Sequence, residues 1–323
     1  MSAPRFDVLT MGRVGVDLYP EQAGVPLADV RTFSKSLGGS PTNVAVAAAR
    51  YGRTAAVITK VGDDAFGPYV RRALREFGVD DRYVGTESDL LTPIVFCEIF
   101  PPDRFPLLFY RLPTAPDMRL REQDVDLDAV RAAGVFWTTG TGLSAEPSRS
   151  TTLSALEARA RRGITIHDLD HRPTLWPDAT EAPSFQRDAL RHATVVVGNL
   201  EEGRVAVGTG DAEAVAKRLL ELGPTLSIVK LGGDGVLLAS GRRVERVPPV
   251  RVRVVNGLGA GDAFGGALCH GLLAGWEPIE AVRFGAAAGA LVAGRLACAD
   301  AMPDEAEVRG LIARARSGEE VSA

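Results

Sequence analysis

The stretch VRVRVVNGLGAGDAFGGALCHGLLA, residues 250–274, contains a strand-like run, a glycine-rich turn and an apolar run in succession. We predict a strand over Val250–Val255, a turn over Asn256–Asp262 and a helix over Ala263–Ala274. Three glycines before a helix N-terminus let backbone N–H groups converge on an anion, and the helix dipole adds to the attraction. The stretch therefore predicts an α/β fold with a phosphate site at this turn.

Asp262 is an unexpected residue at a phosphate-binding turn, because its carboxylate would repel the phosphate unless it handles a proton or a metal. A base that accepts a hydroxyl proton, beside N–H donors aimed at a transferring phosphoryl group, fits this position. A dinucleotide fingerprint does not fit, since Asp262 stands where the third glycine is needed and the motif lies late in the chain. A P-loop is excluded because no Gly-Lys-Ser/Thr occurs. A flexible turn with Asp262 as a helix cap stays open.

Short aliphatic runs alternate with helical runs along most of the chain. Such alternation predicts βαβ units and a mostly parallel sheet in a three-layer α/β/α core. The predicted strands are Phe6–Met11, Ala55–Val61, Gly134–Thr139, Ile164–Asp168, Thr194–Val197 and Ser227–Leu231. The predicted helices are Pro41–Tyr51, Pro68–Phe77, Ser148–Arg161, Ala212–Glu221 and Ala263–Ala274.

Two stretches, residues 13–37 and 92–113, break this rhythm with strand-like residues and prolines. We expect them to pair into a small β lid on a single domain that spans residues 1–323.

Composition restricts the class of partner. The 323 residues are 46% hydrophobic and 24% charged with a net charge of −4, so neither nucleic acid nor an anionic membrane is an expected partner. Cys97, Cys269 and Cys298 form no Cys-x-x-Cys pair and fit buried thiols in a reducing compartment. No signal peptide is visible, and the apolar stretch Gly285–Leu296 is too short to span a bilayer. We therefore expect a cytoplasmic protein.

A second glycine motif, Gly38-Gly39-Ser40-Pro41-Thr42-Asn43, precedes an alanine-rich helix. We predict Ser40 as the N-cap and Pro41 as the first helical residue. Paired glycines permit close approach of a ligand to the backbone, and Asn43 can hydrogen-bond a hydroxyl. A simple helix cap needs neither the second glycine nor Asn43.

The two glycine motifs resemble the C-terminal and N-terminal signatures of the ribokinase-like (PfkB) carbohydrate kinases, and the resemblance covers essentially the whole chain. It implies that Asp262 is the catalytic base and that the backbone of Gly259, Ala260 and Gly261 forms an anion hole. It also implies sugar contacts from Asp17, Gly38, Gly39 and Asn43. One departure is Asn256-Gly257, where most members have Asp-Thr. Since that Asp usually helps bind a monovalent cation, the cation requirement stays open.

Two segments predict the nucleotide site. Asn199 and Glu202, an amide and a carboxylate three residues apart after a strand, suit a hydrated Mg²⁺, although an acidic helix start is an equal alternative. The resemblance implies an ATP contact for Asn199 and a water-mediated Mg²⁺ contact for Glu202. The segment from Lys230 through Gly232 to Gly235 resembles the family's glycine turn under ATP, although a hairpin turn would have the same pattern.

The loop after Ile164–Asp168 predicts substrate contacts. His167 and His171 lie too far apart on a strand to share one metal ion readily. Asp170 and Arg172, in a loop at the carboxyl end of a strand, better suit a ligand at the open edge of the sheet.

This loop and the Tyr110-Arg111 pair resemble the branch of the family that acts on 5-dehydro-2-deoxygluconate in inositol catabolism, and the 2-keto-3-deoxygluconokinases. Residues 140–149 also match the inositol branch, whereas residues 112–117 depart from it. The resemblance implies that Tyr110, Arg111 and Arg172 orient an oxidised or deoxygenated six-carbon sugar.

These patterns together predict transfer of a phosphoryl group from ATP·Mg²⁺ to a hydroxyl of a small sugar or sugar acid. The resemblance favours the terminal hydroxyl of 5-dehydro-2-deoxygluconate and a homodimer that pairs through the lids. The alternatives are a kinase for 2-keto-3-deoxygluconate, fructose or a nucleoside, and a non-catalytic protein that binds a sugar or nucleotide.

Overall fold

The computed structural model describes residues 5–208 and 210–317 of the chain. The strands in this part are β1 (Val8–Met11), β2 (Gly15–Pro20), β3 (Phe33–Gly38), β4 (Ala55–Gly62), β5 (Val79–Asp80), β6 (Val84–Glu87), β7 (Ile94–Cys97), β8 (Leu107–Tyr110), β9 (Val135–Thr139), β10 (Ile164–Asp168), β11 (Val195–Asn199), β12 (Leu226–Lys230), β13 (Val236–Ser240) and β14 (Arg243–Val247). The α-helices are α1 (Ser40–Arg50), α2 (Phe66–Glu76), α3 (Leu127–Ala132), α4 (Ser148–Arg159), α5 (Ala182–Leu190), α6 (Leu200–Val207), α7 (Ala212–Glu221), α8 (Ala260–Leu273), α9 (Pro278–Ala293) and α10 (Glu305–Ser317).

The large sheet has the strand order β14-β13-β12-β11-β10-β9-β1-β4-β5, and β6 also pairs with β4. The pairs from β12 to β5 are parallel, while β13 and β14 add an antiparallel edge. Both faces are covered by helices, which accounts for strands that are apolar on both sides. The predicted α/β core with a mostly parallel sheet is confirmed.

Alternate residues of each strand enter the two helical layers, as the two-residue period of a strand requires. In β1, Val8 belongs to the core that contains α1, α8 and α9. The next residue, Leu9, packs on the opposite face with residues of α3 and α4. Residues of β11 and β12 pack in the same way against α6 and α7 on that second face.

A separate four-stranded sheet has the order β3-β2-β7-β8. β2 lies in the first of the two stretches that break the strand–helix rhythm, β3 extends one residue beyond it to Gly38, and β7 and β8 lie in the second. We call it the small sheet; its action as a lid and the description of the chain as one domain stay predictions.

The predicted strand over Val250–Val255 is wrong, because this segment has no strand conformation. The backbone N–H groups of Val255 and Asn256 both donate to the carbonyl of Ala293 at the end of α9, so the segment pairs with a helix terminus and not with the sheet. The helix after the turn begins at Ala260, three residues earlier than predicted.

Within residues 5–208 and 210–317, none of the helices combines the length and apolar character needed to cross a membrane.

Candidate active site

A cavity of about 810 Å³ lies between the carboxyl edge of the large sheet and the small sheet. Asp168, Asn199 and Lys230 line it, and they are the last residues of three neighbouring strands, β10, β11 and β12. Parallel strands bring their carboxyl ends to one edge, where ligands of open α/β sheets bind. The small sheet and the turn before α8 supply the other walls.

Asp262 lies in the first turn of α8 and faces the start of α1. Its Oδ1 accepts a hydrogen bond from Ser40 Oγ at 2.7 Å, and its Oδ2 accepts one from Asn43 Nδ2 at 2.8 Å. Burial raises the pKa of Asp262 to about 6, although the two hydrogen bonds act to lower it. The carboxylate is thus fixed in orientation, with a pKa suited to accepting a proton near neutral pH.

The predicted role of Ser40 as an N-cap is wrong. Gly39 is the N-cap of α1, and the Ser40 hydroxyl is used by Asp262. The Oδ1 atom of Asn43 is buried and has no hydrogen-bond partner among the described residues. Asn43 lines the cavity, and its sugar contact stays a prediction.

The turn before α8 presents free backbone donors to the cavity. Gly259 is the N-cap with φ of 80°, in the left-handed region that favours glycine. A Cβ there would lie 2.6 Å from Cys298 Sγ, so the turn packs tightly on that thiol. The N–H groups of Ala260 and Gly261 belong to the first helical residues, which have no intrahelical acceptors. They can therefore bind an anion beside Asp262.

Asn256 fixes this turn to the rest of the protein. The side chain is fully buried; its Nδ2 donates to the carbonyl of Leu296, and its Oδ1 accepts from the N–H of Leu258 at 3.0 Å. Both ends of the amide are therefore used within the chain.

Asp17, on β2, is buried in the same cavity. Burial raises its pKa to about 7, against the opposing effects of the Tyr19 hydroxyl and the Arg13 charge. A Cβ on Gly38 would lie 2.1 Å from Asp17 Oδ1, and one on Gly39 would lie 2.4 Å from the Arg13 carbonyl oxygen. The paired glycines are therefore needed for packing inside the protein, and Gly39 also lines the cavity.

Arg13 is a cavity residue that the sequence analysis missed. Its Nη2 donates to Asp170 Oδ2 at 2.8 Å, and Thr141 Oγ1 donates to the same oxygen at 3.0 Å. Arg172 Nε lies 3.2 Å from the other oxygen, Oδ1. Burial acts to raise the pKa of Asp170, but the two guanidinium groups outweigh it and hold the pKa below its usual value. An arginine directly after a buried strand, at Gly12-Arg13, was the available signal.

Arg111 and Tyr110, the two sugar contacts predicted in the lid, point to opposite faces of the small sheet. Arg111 lines the cavity, but its Nη2 donates to the buried carboxylate of Asp117 at 2.7 Å. Tyr110 is 61% exposed and its ring packs against Phe96 on the other face of the small sheet. Because neighbouring strand residues point to opposite faces, Tyr110 does not line the cavity, contrary to its predicted sugar contact.

Asn199 and Glu202 form a reciprocal capping box at the start of α6. Glu202 N–H donates to Asn199 Oδ1 at 2.9 Å, and Asn199 N–H donates to Glu202 Oε2 at 2.8 Å. Glu202 is buried, and burial together with the charge of Asp168 raises its pKa to about 7. The helix-start alternative thus describes the local structure, and both side chains also line the cavity.

Gly232 and Gly235 lie in the turn between the antiparallel strands β12 and β13, so the hairpin alternative is correct in geometry. Both glycines line the cavity as well. Among the described residues, no group of three or more His, Cys, Asp or Glu is placed to hold a metal ion. His167 instead contacts Thr138 and Gln186, and burial lowers its pKa to about 4.

The family model for pfkB family carbohydrate kinases matches residues 5–305. The chain belongs to this family. A 5-dehydro-2-deoxygluconokinase of Clostridium perfringens is 31% identical over 95% of this chain and 93% of its own length. One of Photobacterium profundum is 36% identical over 92% of both chains. The fructokinase of Xylella fastidiosa with bound ATP has a TM-score of 0.84 at 27% identity, covering 97% of this chain and 99% of that one.

A candidate ribokinase II of E. coli in complex with ATP and Mg²⁺ shares the fold, with a TM-score of 0.86 at 23% identity over 96% of this chain and 99% of that one. The PfkB chain described here is thus an ATP-dependent sugar kinase that binds ATP and a sugar.

Proposed function

We propose that this kinase phosphorylates the terminal hydroxyl of 5-dehydro-2-deoxygluconate, a step of inositol catabolism. Relatives of that name match more than nine-tenths of this chain. Arginine side chains that line the cavity support a sugar with a carboxylate. Arg13 and Arg172 share one carboxylate, Asp170, whereas Arg111 pairs with Asp117. Arg172 lines the cavity and its side chain is 41% exposed, so its guanidinium can bind the substrate carboxylate in addition to Asp170.

The observation that carries the catalytic assignment is the position of Asp262, held by Ser40 and Asn43 beside the free amides of the turn before α8. In the proposed step, Asp262 accepts the proton of the substrate hydroxyl as its oxygen attacks the γ-phosphorus. The amides of Gly259, Ala260 and Gly261 face the charge on the transferring group. Asp17, Gly39, Asn43, Asp170 and Arg172, which line the cavity, form the proposed sugar site, and Gly38 packs against Asp17 behind it.

For the nucleotide we propose contacts from Asn199, Lys230, Gly232 and Gly235, which all line the cavity. Mg²⁺ fits beside Glu202, because Glu202 and Asp168 are both buried carboxylates and the charge of Asp168 raises the pKa of Glu202; a hydrated cation would relieve that repulsion. When bound, Mg²⁺ would neutralise charge on the phosphate oxygens.

We also propose a homodimer in which the small sheets of two copies pair. The face of the small sheet that points away from the cavity carries Phe33, Phe96, Leu108 and Tyr110. The ring centroid of Phe96 lies 5.4 Å from that of Phe33 and 5.5 Å from that of Tyr110. Leu108 and Tyr110 are 48% and 61% exposed in a single copy. An apolar face of this kind favours burial against an identical one. The three buried free thiols further support a cytoplasmic location.

A substrate panel tests the proposal. The purified kinase is assayed by coupled ADP detection with 5-dehydro-2-deoxygluconate, 2-keto-3-deoxygluconate, fructose and a nucleoside, and the product is identified by ³¹P NMR. We expect the highest kcat/KM with 5-dehydro-2-deoxygluconate. A higher value with another sugar would assign that sugar instead. Binding of ATP with no turnover of any of them would favour the non-catalytic alternative.

A further inference from the structure

The ammonium group of Lys230 lies beside the turn before α8. Lys230 is the last residue of β12, and its Nζ lies 3.2 Å from the position that a Cβ on Gly261 would take. The absence of a side chain at Gly261 thus lets an ammonium group approach the backbone of the proposed anion hole.

The N–H donors of the Lys230 ammonium group make no hydrogen bond within the described part of the chain. Asp168 Oδ2, at 3.8 Å, is too far for a hydrogen bond. The side chain is only 21% exposed and lines the cavity. An ammonium has three N–H donors, and leaving them unpaired when buried is costly. A ligand rich in acceptor oxygens would satisfy them.

The surrounding charges keep this group cationic. Burial acts to lower the pKa of Lys230, but the carboxylates of Asp168, Glu202 and Asp262 outweigh it and hold the pKa above its usual value. Lys230 is therefore a positive charge at neutral pH and not a proton acceptor.

We propose that Lys230 is a catalytic residue whose ammonium group binds the oxygens of the γ-phosphoryl group as it is transferred; this rests on the proposed assignment of Asp262 and its turn. The substrate O–H bond breaks with its proton going to Asp262, and the new O–P bond forms. The bond from γ-phosphorus to the oxygen that bridges it to the β-phosphate breaks, and its electron pair leaves on ADP. Lys230 neither gains nor loses a proton. A point charge beside preorganised amides stabilises the charge that develops on the transferring group.

Lys230→Met tests this role, with Lys217→Met on α7 as the matched control because Lys217 is an exposed lysine that pairs with Glu213 at 3.6 Å. For Lys230→Met we expect kcat to fall by about 10²–10³-fold, as for loss of one oxyanion donor, while KM for ATP changes by less than about tenfold. Lys230→Arg, which keeps the charge, should recover part of kcat. Circular dichroism and thermal melting establish that each variant is folded.

A binding measurement separates transition-state contacts from ground-state contacts. Calorimetry with ADP, aluminium fluoride and sugar, in MgCl₂, is compared with AMP-PNP and sugar. Lys230→Met should lose far more affinity for the fluoride complex, which imitates the planar phosphoryl group. Equal losses for both complexes, or an unchanged kcat, would overturn the proposal and leave Lys230 as a nucleotide-binding residue or a partner of Asp168. If Lys230→Met does not fold, the Lys230→Gln and Lys230→Arg pair is compared in the same way.

These outcomes are distinct from failure of the proposed function. Wild-type protein that phosphorylates none of the sugars in the panel contradicts the proposed function. An active wild type with a fully active Lys230→Met contradicts only the role of Lys230.

Discussion

Asp262 has a single proposed task, and its removal is the most direct test at the scale of a residue. Asp262→Asn keeps the shape and the hydrogen-bonding capacity of one oxygen but removes the base. We expect kcat to fall by about 10²–10⁴-fold while ATP still binds, because general-base catalysis contributes about that factor. Steady-state kinetics and ATP calorimetry measure the two effects. Asp128→Asn, at an exposed carboxylate on α3, is the control, and near-normal turnover of Asp262→Asn would remove the base assignment.

The hydrogen bond from the Ser40 hydroxyl should influence the pH dependence of the reaction through the pKa of Asp262. A base with a raised pKa of about 6 is active only when deprotonated, so log kcat/KM should fall with a slope of one below about pH 6. Ser40→Ala removes a donor that stabilises the carboxylate, so the pKa of Asp262 rises and the acid limb moves to higher pH. Ser150→Ala, at an exposed site on α4, should leave the profile unchanged. An acid limb that stays in place or moves to lower pH in Ser40→Ala would contradict this coupling.

Asn256 gives a prediction about monovalent cations. Since its amide already connects Leu258 and the Leu296 carbonyl, we expect no site for a cation between them. Turnover in potassium chloride and in choline chloride at equal ionic strength should therefore agree within about twofold. A cation that stabilised the transition state by about 1.4 kcal/mol would instead raise turnover about tenfold. Activation by potassium of tenfold or more would show that the amide does not replace the cation.

At the scale of elements, the packing of α1 on α8 brings the catalytic groups together. A Cβ on Gly266 would lie 2.3 Å from Ala47 Cβ, so the two helices meet at backbone distance. Gly266→Ala should lower the free energy of unfolding by about 1–3 kcal/mol, the usual cost of overpacking, and should also lower kcat by separating Asn43 from Asp262. Urea unfolding and kinetics measure both. At Gly233 an added Cβ meets nothing within 4 Å, and Gly233→Ala should unfold like the wild type. Equal stability of the two variants would contradict close helix packing.

At the scale of the whole molecule, the outer face of the small sheet determines the proposed dimer. Leu108→Glu and Tyr110→Glu place a charge in that apolar face, which would be costly to bury. We expect each variant to sediment as a monomer at a concentration where the wild type is a dimer. Lys217→Glu on α7 is the control and should remain dimeric. Sedimentation velocity measures this, and a wild type that is monomeric throughout, or variants that stay dimeric, would contradict pairing through the small sheet.

Local patterns in the sequence predicted six strands of the large sheet and five of the helices, because strand and helix periods are properties of a few consecutive residues. Ile164–Asp168 and Ala212–Glu221 have the predicted bounds, and the other predicted elements of the core differ by a few residues. Val250–Val255 failed because a β-branched run forms a strand only where a neighbour offers backbone partners, and here Ala293 supplies them from a helix end.

Only the tertiary structure decided which side chains meet. Ser40 and Asn43 reach Asp262 across 222 and 219 residues of chain, and Arg13 reaches Asp170 across 157, separations for which no local pattern exists. The opposite directions of Tyr110 and Arg111 likewise depend on which face of the small sheet is turned to the cavity.

The sequence by itself determined the alternation of strands and helices, the glycine turn and the identity of the candidate base, because each depends on neighbours along the chain. The contacts that orient this base, the pairing of Asp170 with Arg13 and Arg172, and the position of the Lys230 ammonium beside Asp168 were decided by the tertiary structure. Their physical cause is the convergence of the carboxyl ends of parallel strands at one edge of the sheet.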